Sequence, residues 1–594
     1  MKPGLSIRFS SSFFRRYKNC NTGKSTIFLT YDLNEKRVFS THKVFAKGDR
    51  GNVGNTRSIG LLSVVGIGLI FGLSYIYSVK ALSPILLDVD VKPSKKFEVS
   101  KGVSVEELKK HTTVDDGVWV VIGGNVYDLT EFMNIHPGGK AIILKYAGRD
   151  ATKIFTPIHA PDIIDKFLPH DKHLGPLIGQ LDMEDEEEIS PEEIERLQRV
   201  ENMPPITQIF NVSDFEYIAK KTLAPNAWAY YSSAADDEVT LRENHYAFHR
   251  VFFNPRVLVD VTEVDTSTTM LGSKTSVPFY CSATALARLG HEEGEKGIAR
   301  GCGRQGVIQM FSTLASYSFD DITDAAEPGQ VQWFQLYVNP DRSISYNLIE
   351  KCKLKNIKGI FVTVDAPVLG NREKDKRMKY IDDADIMEAQ KEKVDRSQGA
   401  AKALTSFIDT SLTWKDIGDF KKQTNIPIVI KGIQTPEDVI LAAKHGVDAV
   451  VISNHGGRQL EFARSPLEVL HDTMPILKAH GLHDKIEIYI DGGVRRGTDI
   501  IKALCLGAKG VGLGRAFLYA NSTYGEDGVA RLCQILRAEI QTGMRLLGVQ
   551  KISELGPEFI DTRNLAARTT TNDELYNSVY VPLAPPRFRN DDDN

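Results

Sequence analysis

The segment VVISNHGGRQL, residues 450–460, runs as a buried strand should and then breaks into Asn454, His455, two glycines and Arg458. Closing a core needs no histidine and arginine just past an apolar run. Together they offer a base that works near neutral pH and a planar cation that grips a carboxylate through paired hydrogen bonds. Asp365, near the end of GIFVTVDAP (359–367), is of the type that orients such a histidine and stabilises its protonated form. Tyr337 and Tyr230 add hydroxyl donors, and Arg372 adds a second cation. A base and a carboxylate clamp beside a redox-active ring would suit oxidation of a 2-hydroxy acid. The plainer reading is a packed histidine next to a surface arginine.

The elements that must position these residues repeat along the chain. From about residue 206, short apolar runs alternate with helical patterns such as PEDVILAAKHG. The runs are 279–285, 307–312, 331–338, 359–367, 427–433, 449–456, 487–493 and 510–515. Strands alternating with helices in eight units predict an α/β fold, a closed parallel (β/α)8 barrel, over an open doubly wound sheet. No G-x-G-x-x-G opens a helix, so a Rossmann dinucleotide site has no support. Each run ends in polar or small residues: Thr284, Ser312, Gln335 with Tyr337, Thr363 with Asp365, Lys431, His455 with Arg458, Asp491, and Arg515. A barrel gathers the C-terminal ends of its strands on one face, so the expected site is that mouth.

The last two runs, IDGGVRRGTD and GLGR, put glycines and arginines where barrels bind phosphate; ordinary turn chemistry is the alternative. Lys431 could stabilise an anionic reduced cofactor, or could be a solvated strand-end lysine. Gln335 suits an amide edge such as a flavin ring presents. The residues alone lead to a phosphorylated cofactor, with flavin as one candidate.

A second module precedes the barrel. In WVVIGGNVYDLTEFMNIHPGGK (119–140), His136 precedes Pro137, Gly138 and Gly139; His159 follows 23 positions later, past the helical stretch AIILKYAG. Two histidines could bind zinc, but no cysteine or third ligand accompanies them. Two imidazoles on opposite faces suit six-coordinate haem. The histidines of PHDKH (169–173) read as solvated and not as a metal pair.

The net charge of -4 gives no reason to expect nucleic acid, and the six cysteines show no paired spacing. Residues 1–57 carry twelve Lys/Arg against three acids, and Ser58–Val79 has no charge. That pattern predicts a basic mitochondrial targeting segment (1–57) and an apolar sorting segment (58–80), with a retained membrane anchor as the alternative. The organisation continues with a haem-type module at 97–180, an acidic linker at 181–205, the barrel at 206–566 and a C-terminal tail at 567–594.

The motifs SNHGGRQL, DGGVRRGTD, LGAKGVGLGR, TVDAP, FQLYV, SATAL and WAYYSS together resemble the FMN-dependent L-2-hydroxy acid dehydrogenase and oxidase family, across nearly all of 206–566. The resemblance implies that His455 is the base and Asp365 its partner. It makes Arg458 and Tyr230 carboxylate binders, Tyr337 the contact to the substrate hydroxyl, and Arg372 the second arginine. Lys431 falls beside the flavin ring; Ala283, Thr284, Ala285, Ser312, Gln335 and Thr363 fall around it. Asp491, Gly492, Gly493, Arg495, Gly514 and Arg515 fall around the ribityl phosphate. Leu314 stands where glycolate-oxidising members carry tryptophan, which with Ala283 suits lactate or a modestly larger acid. VYDLTEF followed by H-P-G-G resembles the cytochrome b5 fold, making His136 and His159 axial ligands of haem b.

Leader, haem module, linker and barrel in this order resemble the haem-fused, lactate-oxidising members of the family. They imply oxidation of L-lactate to pyruvate at FMN, with electrons leaving singly through haem to cytochrome c. They also imply a homotetramer, soluble in the mitochondrial intermembrane space once the leader is removed. Another L-2-hydroxy acid such as mandelate, or an inactive barrel tethering a haem carrier, are the competing readings. The charged stretch at 373–405 reads as a mobile insertion.

Overall fold

The computed structural model describes residues 102–568, apart from 135, 137–139, 157–158, 160–162, 182–189 and 378–407. The expectations for the leader and apolar segment, for the tail beyond Arg568, and for most of the charged insertion lie outside these residues. Among the described residues no helix is long and apolar enough to cross a membrane. The five cysteines among them are buried and free.

The first module is a five-stranded sheet in the order Val103–Ser104, His173–Ile178, Asn125–Asp128, Gly117–Ile122, Thr112–Thr113. Side chains alternate across a strand. In Gly117–Ile122 this sends Val118, Val120 and Ile122 into one core with Leu129, Met133, Ile143 and Leu168. Trp119 and Val121 go to the other face, against Leu108 and Val126. The first core carries the short helices Lys140–Lys145, Thr152–Phe155 and Ile163–Phe167. The acidic linker contributes a helix, Pro191–Glu201, capped by the Ser190 hydroxyl and lacking any buried residue.

The barrel strands are β1 (Phe279–Cys281), β2 (Ile308–Ser312), β3 (Gln332–Leu336), β4 (Ile360–Thr363), β5 (Ile428–Ile433), β6 (Ala449–Ile452), β7 (Glu487–Asp491) and β8 (Gly510–Leu513). All pair in parallel, and β8 returns to β1 through Val511↔Phe279. Helices cover the outside, so both faces of each strand are buried, and the strands read as almost unbroken apolar runs. Parity sorts the residues. Tyr280, Ile308, Met310, Trp333, Phe361, Val429, Ala449, Val451 and Tyr489 fill the inside. Their neighbours, among them Phe311, Val362, Ile430, Ile452 and Ile490, face the helices. At the N-terminal end a hairpin (Thr268–Met270 with Ser273–Thr275) adds Met270 to the inner core, and the Leu271 amide donates to Glu487 at 2.9 Å.

Candidate active site

Two residues beyond the last inward-facing apolar residue of β1 to β7 comes the next inward position, and there the barrel turns polar. Tyr280 leads to Ser282, Met310 to Ser312, Trp333 to Gln335 and Phe361 to Thr363. Val429 leads to Lys431, Val451 to Ser453 and Tyr489 to Asp491. These seven residues form a buried polar belt. Ser312 donates to Gln335 Oε1 at 2.8 Å, and Gln335 Nε2 donates to Thr363 Oγ1 at 2.9 Å. Lys431, only 4 % exposed, stands 3.3 Å from Asp491 and donates to Ser453 Oγ at 3.2 Å. Ser453 in turn donates to Asp491 Oδ1. Burial pulls on the Lys431 ammonium, but the charges of Asp491 and Asp365 outweigh it and hold it above its ordinary range. The lysine is therefore a fixed buried cation and not a solvated strand end.

The next positions outward carry the reactive set. His455 donates through Nδ1 to Asp365 Oδ1 at 2.9 Å, which leaves Nε2 as the acceptor; the Tyr337 hydroxyl lies 3.5 Å from it. The turn that aims this ring is unusual. His455, Gly456 and Gly457 have φ of 59°, 63° and 80°, a region that side chains disfavour. It is held by His455 N–H donating to Ser453 Oγ (3.0 Å) and by Asn454, whose amide pairs reciprocally with that of buried Asn244. Asp365 fits against β5 because position 432 is glycine: a Cβ there would stand 2.6 Å from Asp365 Cβ. Burial would raise the Asp365 carboxyl, yet the charges of His455 and Lys431 hold it below its ordinary range. Tyr337 is pushed up, by burial first and then by Asp365, and stays a phenol.

Arg458 donates to the carbonyls of Tyr230 and Ser233 at 2.8 Å and lies over the Tyr230 ring at 5.0 Å. Burial, and then the neighbouring Arg372, pull its guanidinium below the ordinary range. Arg372, itself buried, lies 6.0 Å from the same ring. Two crowded cations of this kind favour an anion between them.

A cavity of about 1270 Å³ is lined by Ala283, Thr284, Ala285, Leu314, the polar belt apart from Ser453, and the reactive set apart from Asp365. Its lining also includes apolar residues of the 104–178 module with His136 and His159. The residues fit a flat heterocycle with a phosphate tail. The belt supplies amide, hydroxyl and ammonium groups for the edges. A Cβ at Gly514 would meet only Thr284 Cγ2, at 3.5 Å, so the glycine leaves room beside the N-terminus of α1 (Arg515–Leu547). Such a terminus presents unpaired N–H groups to an anion. The Gly514 φ of -100° suits any residue. Gly514→Val should therefore spare the fold but weaken FMN on the order of tenfold or more by filling this space, measured by flavin fluorescence titration with thermal unfolding as control.

The residues expected around the phosphate, Asp491, Gly492, Gly493, Arg495, Gly514 and Arg515, all line this cavity. Asp491 lies on the inward parity of β7 and pairs with Lys431 at 3.3 Å. Arg495 faces Glu216 at 2.5 Å, and Arg515 donates to the carbonyls of Tyr231, Ser233 and Gly456. With the glycines at 492, 493 and 514 and the start of α1, these two arginines bring positive charge to the cavity wall. Ser453, Asn454, Asn244 and Ser282 were not singled out from sequence; the strand parity that places Ser282 and Ser453 in the belt was the signal available.

In the first module the His136 and His159 rings stand with centroids 5.9 Å apart. Two imidazoles on opposite sides of one metal, each bonded at about 2 Å, have centroids about 6 Å apart. His159 donates from Nδ1 to the Phe155 carbonyl at 3.2 Å, which leaves Nε2 for a metal. With the apolar lining of Val120, Ile122, Leu129, Phe155 and Leu168, this donor set fits haem. Among the described residues no group of three or more His, Cys, Asp or Glu could hold a metal ion.

A closed barrel whose mouth joins an oriented histidine, an arginine pair and a ring-sized polar belt defines a flavin-type oxidoreductase of anionic substrates. Residues 219–562 match the FMN-dependent dehydrogenases and residues 104–178 the cytochrome b5-like heme/steroid binding domain; the chain belongs to the FMN-dependent dehydrogenase family. It is 54% identical over 563 residues to an L-lactate dehydrogenase (cytochrome) of Wickerhamomyces anomalus, covering 94% of this chain and 96% of that one. The enzyme of the same name from Saccharomyces cerevisiae is 54% identical over 509 residues, covering 83% and 85%. Among solved structures, a double mutant of flavocytochrome b2 with pyruvate bound superposes with a TM-score of 0.60 at 55% identity, over 68% of this chain and 99% of that one.

Proposed function

We propose that the chain oxidises L-lactate to pyruvate in the barrel and passes the electrons singly through haem b to cytochrome c. The observation that carries this reading is the His455–Asp365 pair, with its free Nε2 beside Tyr337 and the two arginines. Arg458 and Arg372 take the substrate carboxylate, which relieves their mutual repulsion. The Tyr337 phenol holds the substrate hydroxyl. His455 Nε2 takes a proton from the substrate, and buried Asp365 stabilises the resulting imidazolium through Nδ1. Lys431 sets a fixed positive charge under the ring site. Bound FMN supplies a two-electron acceptor there. A haem ligated by two histidines has no open position and supplies a one-electron carrier.

The basic leader and uncharged stretch support delivery to the mitochondrial intermembrane space. A homotetramer is supported by apolar side chains left in water on the barrel unit, notably Val257, Leu258 and Leu546. Light scattering on the purified chain and fractionation of its host cell test these two points.

The function is tested by an anaerobic visible spectrum of the holoenzyme before and after L-lactate, with D-lactate and L-mandelate alongside. Bleaching of the flavin followed by the sharp bands of reduced haem is expected with L-lactate. Haem bands with a flavin that no 2-hydroxy acid bleaches would leave only the carrier reading; preferential bleaching by L-mandelate would reassign the substrate. Cytochrome c added afterwards should reoxidise the haem.

A further inference from the structure

Glu295 lies in the first turn of the helix Gly294–Gly303, is 2 % exposed, and takes no part in the chemistry above. Among the described residues no cation stands within ion-pair distance of it. Its carboxylate is instead used up on two loops. Oε1 accepts from the Ala287 amide at 3.0 Å and from the Ser316 amide at 3.0 Å; Oε2 accepts from the Ser316 hydroxyl at 2.7 Å. Ser316 Oγ also accepts from the Arg288 amide, so the loops are joined directly as well.

Both loops build the pocket. One follows β1 and carries Ala283, Thr284 and Ala285 before Leu286, whose carbonyl accepts from the Tyr231 hydroxyl at 2.7 Å. The other follows β2 and carries Leu314 and Ala315, which line the same cavity. Tyr317, just beyond, is held between Arg288 (4.7 Å) and Lys296 (4.3 Å), and its hydroxyl donates to the Glu292 carbonyl. The start of one helix thus grips the Leu314 loop from several sides, with a buried carboxylate at the centre. Buried donors demand acceptors, so such a carboxylate sets where the loops stand.

We infer that Glu295 is a positioning residue that sets substrate size selectivity by fixing the Leu314 wall against the floor of the ring site. The inference rests on the 2-hydroxy acid oxidation proposed above. Without the carboxylate the wall gives way, small substrates lose contact and bulky ones gain room.

The test compares kcat/KM for L-lactate and for L-mandelate in the holoenzyme carrying Glu295→Ala, Glu295→Gln or Ser316→Ala, with FMN and haem content read from the spectra. Glu295→Ala should lower the lactate-to-mandelate ratio about tenfold, the scale on which an apolar pocket wall discriminates. Glu295→Gln keeps the reach and one acceptor oxygen and should restore most of the ratio. Ser316→Ala should shift it in the same direction by less, and decides the question alone should Glu295→Ala not fold. Parallel loss on both substrates, or an unchanged ratio at full cofactor content, overturns the inference. Wild-type enzyme that never bleaches with either acid would overturn the functional reading instead.

Discussion

Enzyme carrying His455→Gln is expected to bind both cofactors with unchanged spectra and to reduce its flavin with L-lactate roughly three to four orders of magnitude more slowly than wild type. Glutamine keeps much of the side-chain volume and can still donate toward Asp365, so the strained turn at 455–457 and its anchors in Ser453 and Asn454 persist. What it lacks is a nitrogen that accepts a proton and then shares the charge with a buried carboxylate. The Tyr337 phenol cannot substitute, because burial and Asp365 push it up and make its phenolate costly. Anaerobic stopped-flow absorbance at the flavin band measures the effect. A fall of less than tenfold would show that the proton leaves to another group and would remove His455 from its assigned role.

His159→Ala is expected to separate the two halves of the reaction. Its ring stacks on Phe155 at 4.2 Å and spends Nδ1 on the Phe155 carbonyl, so the aim of Nε2 is set before any metal arrives. Alanine removes one of the two imidazoles that would hold the haem and opens the cavity wall. The sharp reduced-haem bands should disappear and cytochrome c reduction should fall to background, while L-lactate still bleaches the flavin at close to the wild-type rate. Two spectra and a cytochrome c assay suffice. Retention of a six-coordinate haem spectrum would mean that another side chain is the ligand.

The barrel was legible because its strands are buried on both faces. Near-continuous apolar runs mark such strands, and the eight runs coincide with β1–β8 to within a few residues. The pairing of His455 with Asp365 could be read because both stand just past strand ends that a barrel brings together. Directions were harder. Spacing sets Asp491 beside the glycines at 492 and 493, but only its place two residues beyond inward-facing Tyr489 brings it to Lys431. Lys431, two beyond Val429, could not be told from a solvated lysine until its partner was placed. Glu295 carries no local signal: its partners lie 8 and 21 positions away, and a first-turn glutamate usually serves only its own helix. Long-range polar pairs such as Asn244 with Asn454 are written by topology and not by pattern.

Tyr280, Trp333, Phe361 and Tyr489 stop the inside of the barrel, and the Thr268–Thr275 hairpin seals the end below them. Among the described residues the vessel therefore has a single doorway. Fresh hydroxy acid and spent keto acid must pass through it by turns, and a product that lingers stands in the path of the molecule waiting behind it. Throughput then depends on how fast the mouth clears as much as on the chemistry inside, and a change made at the rim can slow an enzyme whose reacting residues are all intact.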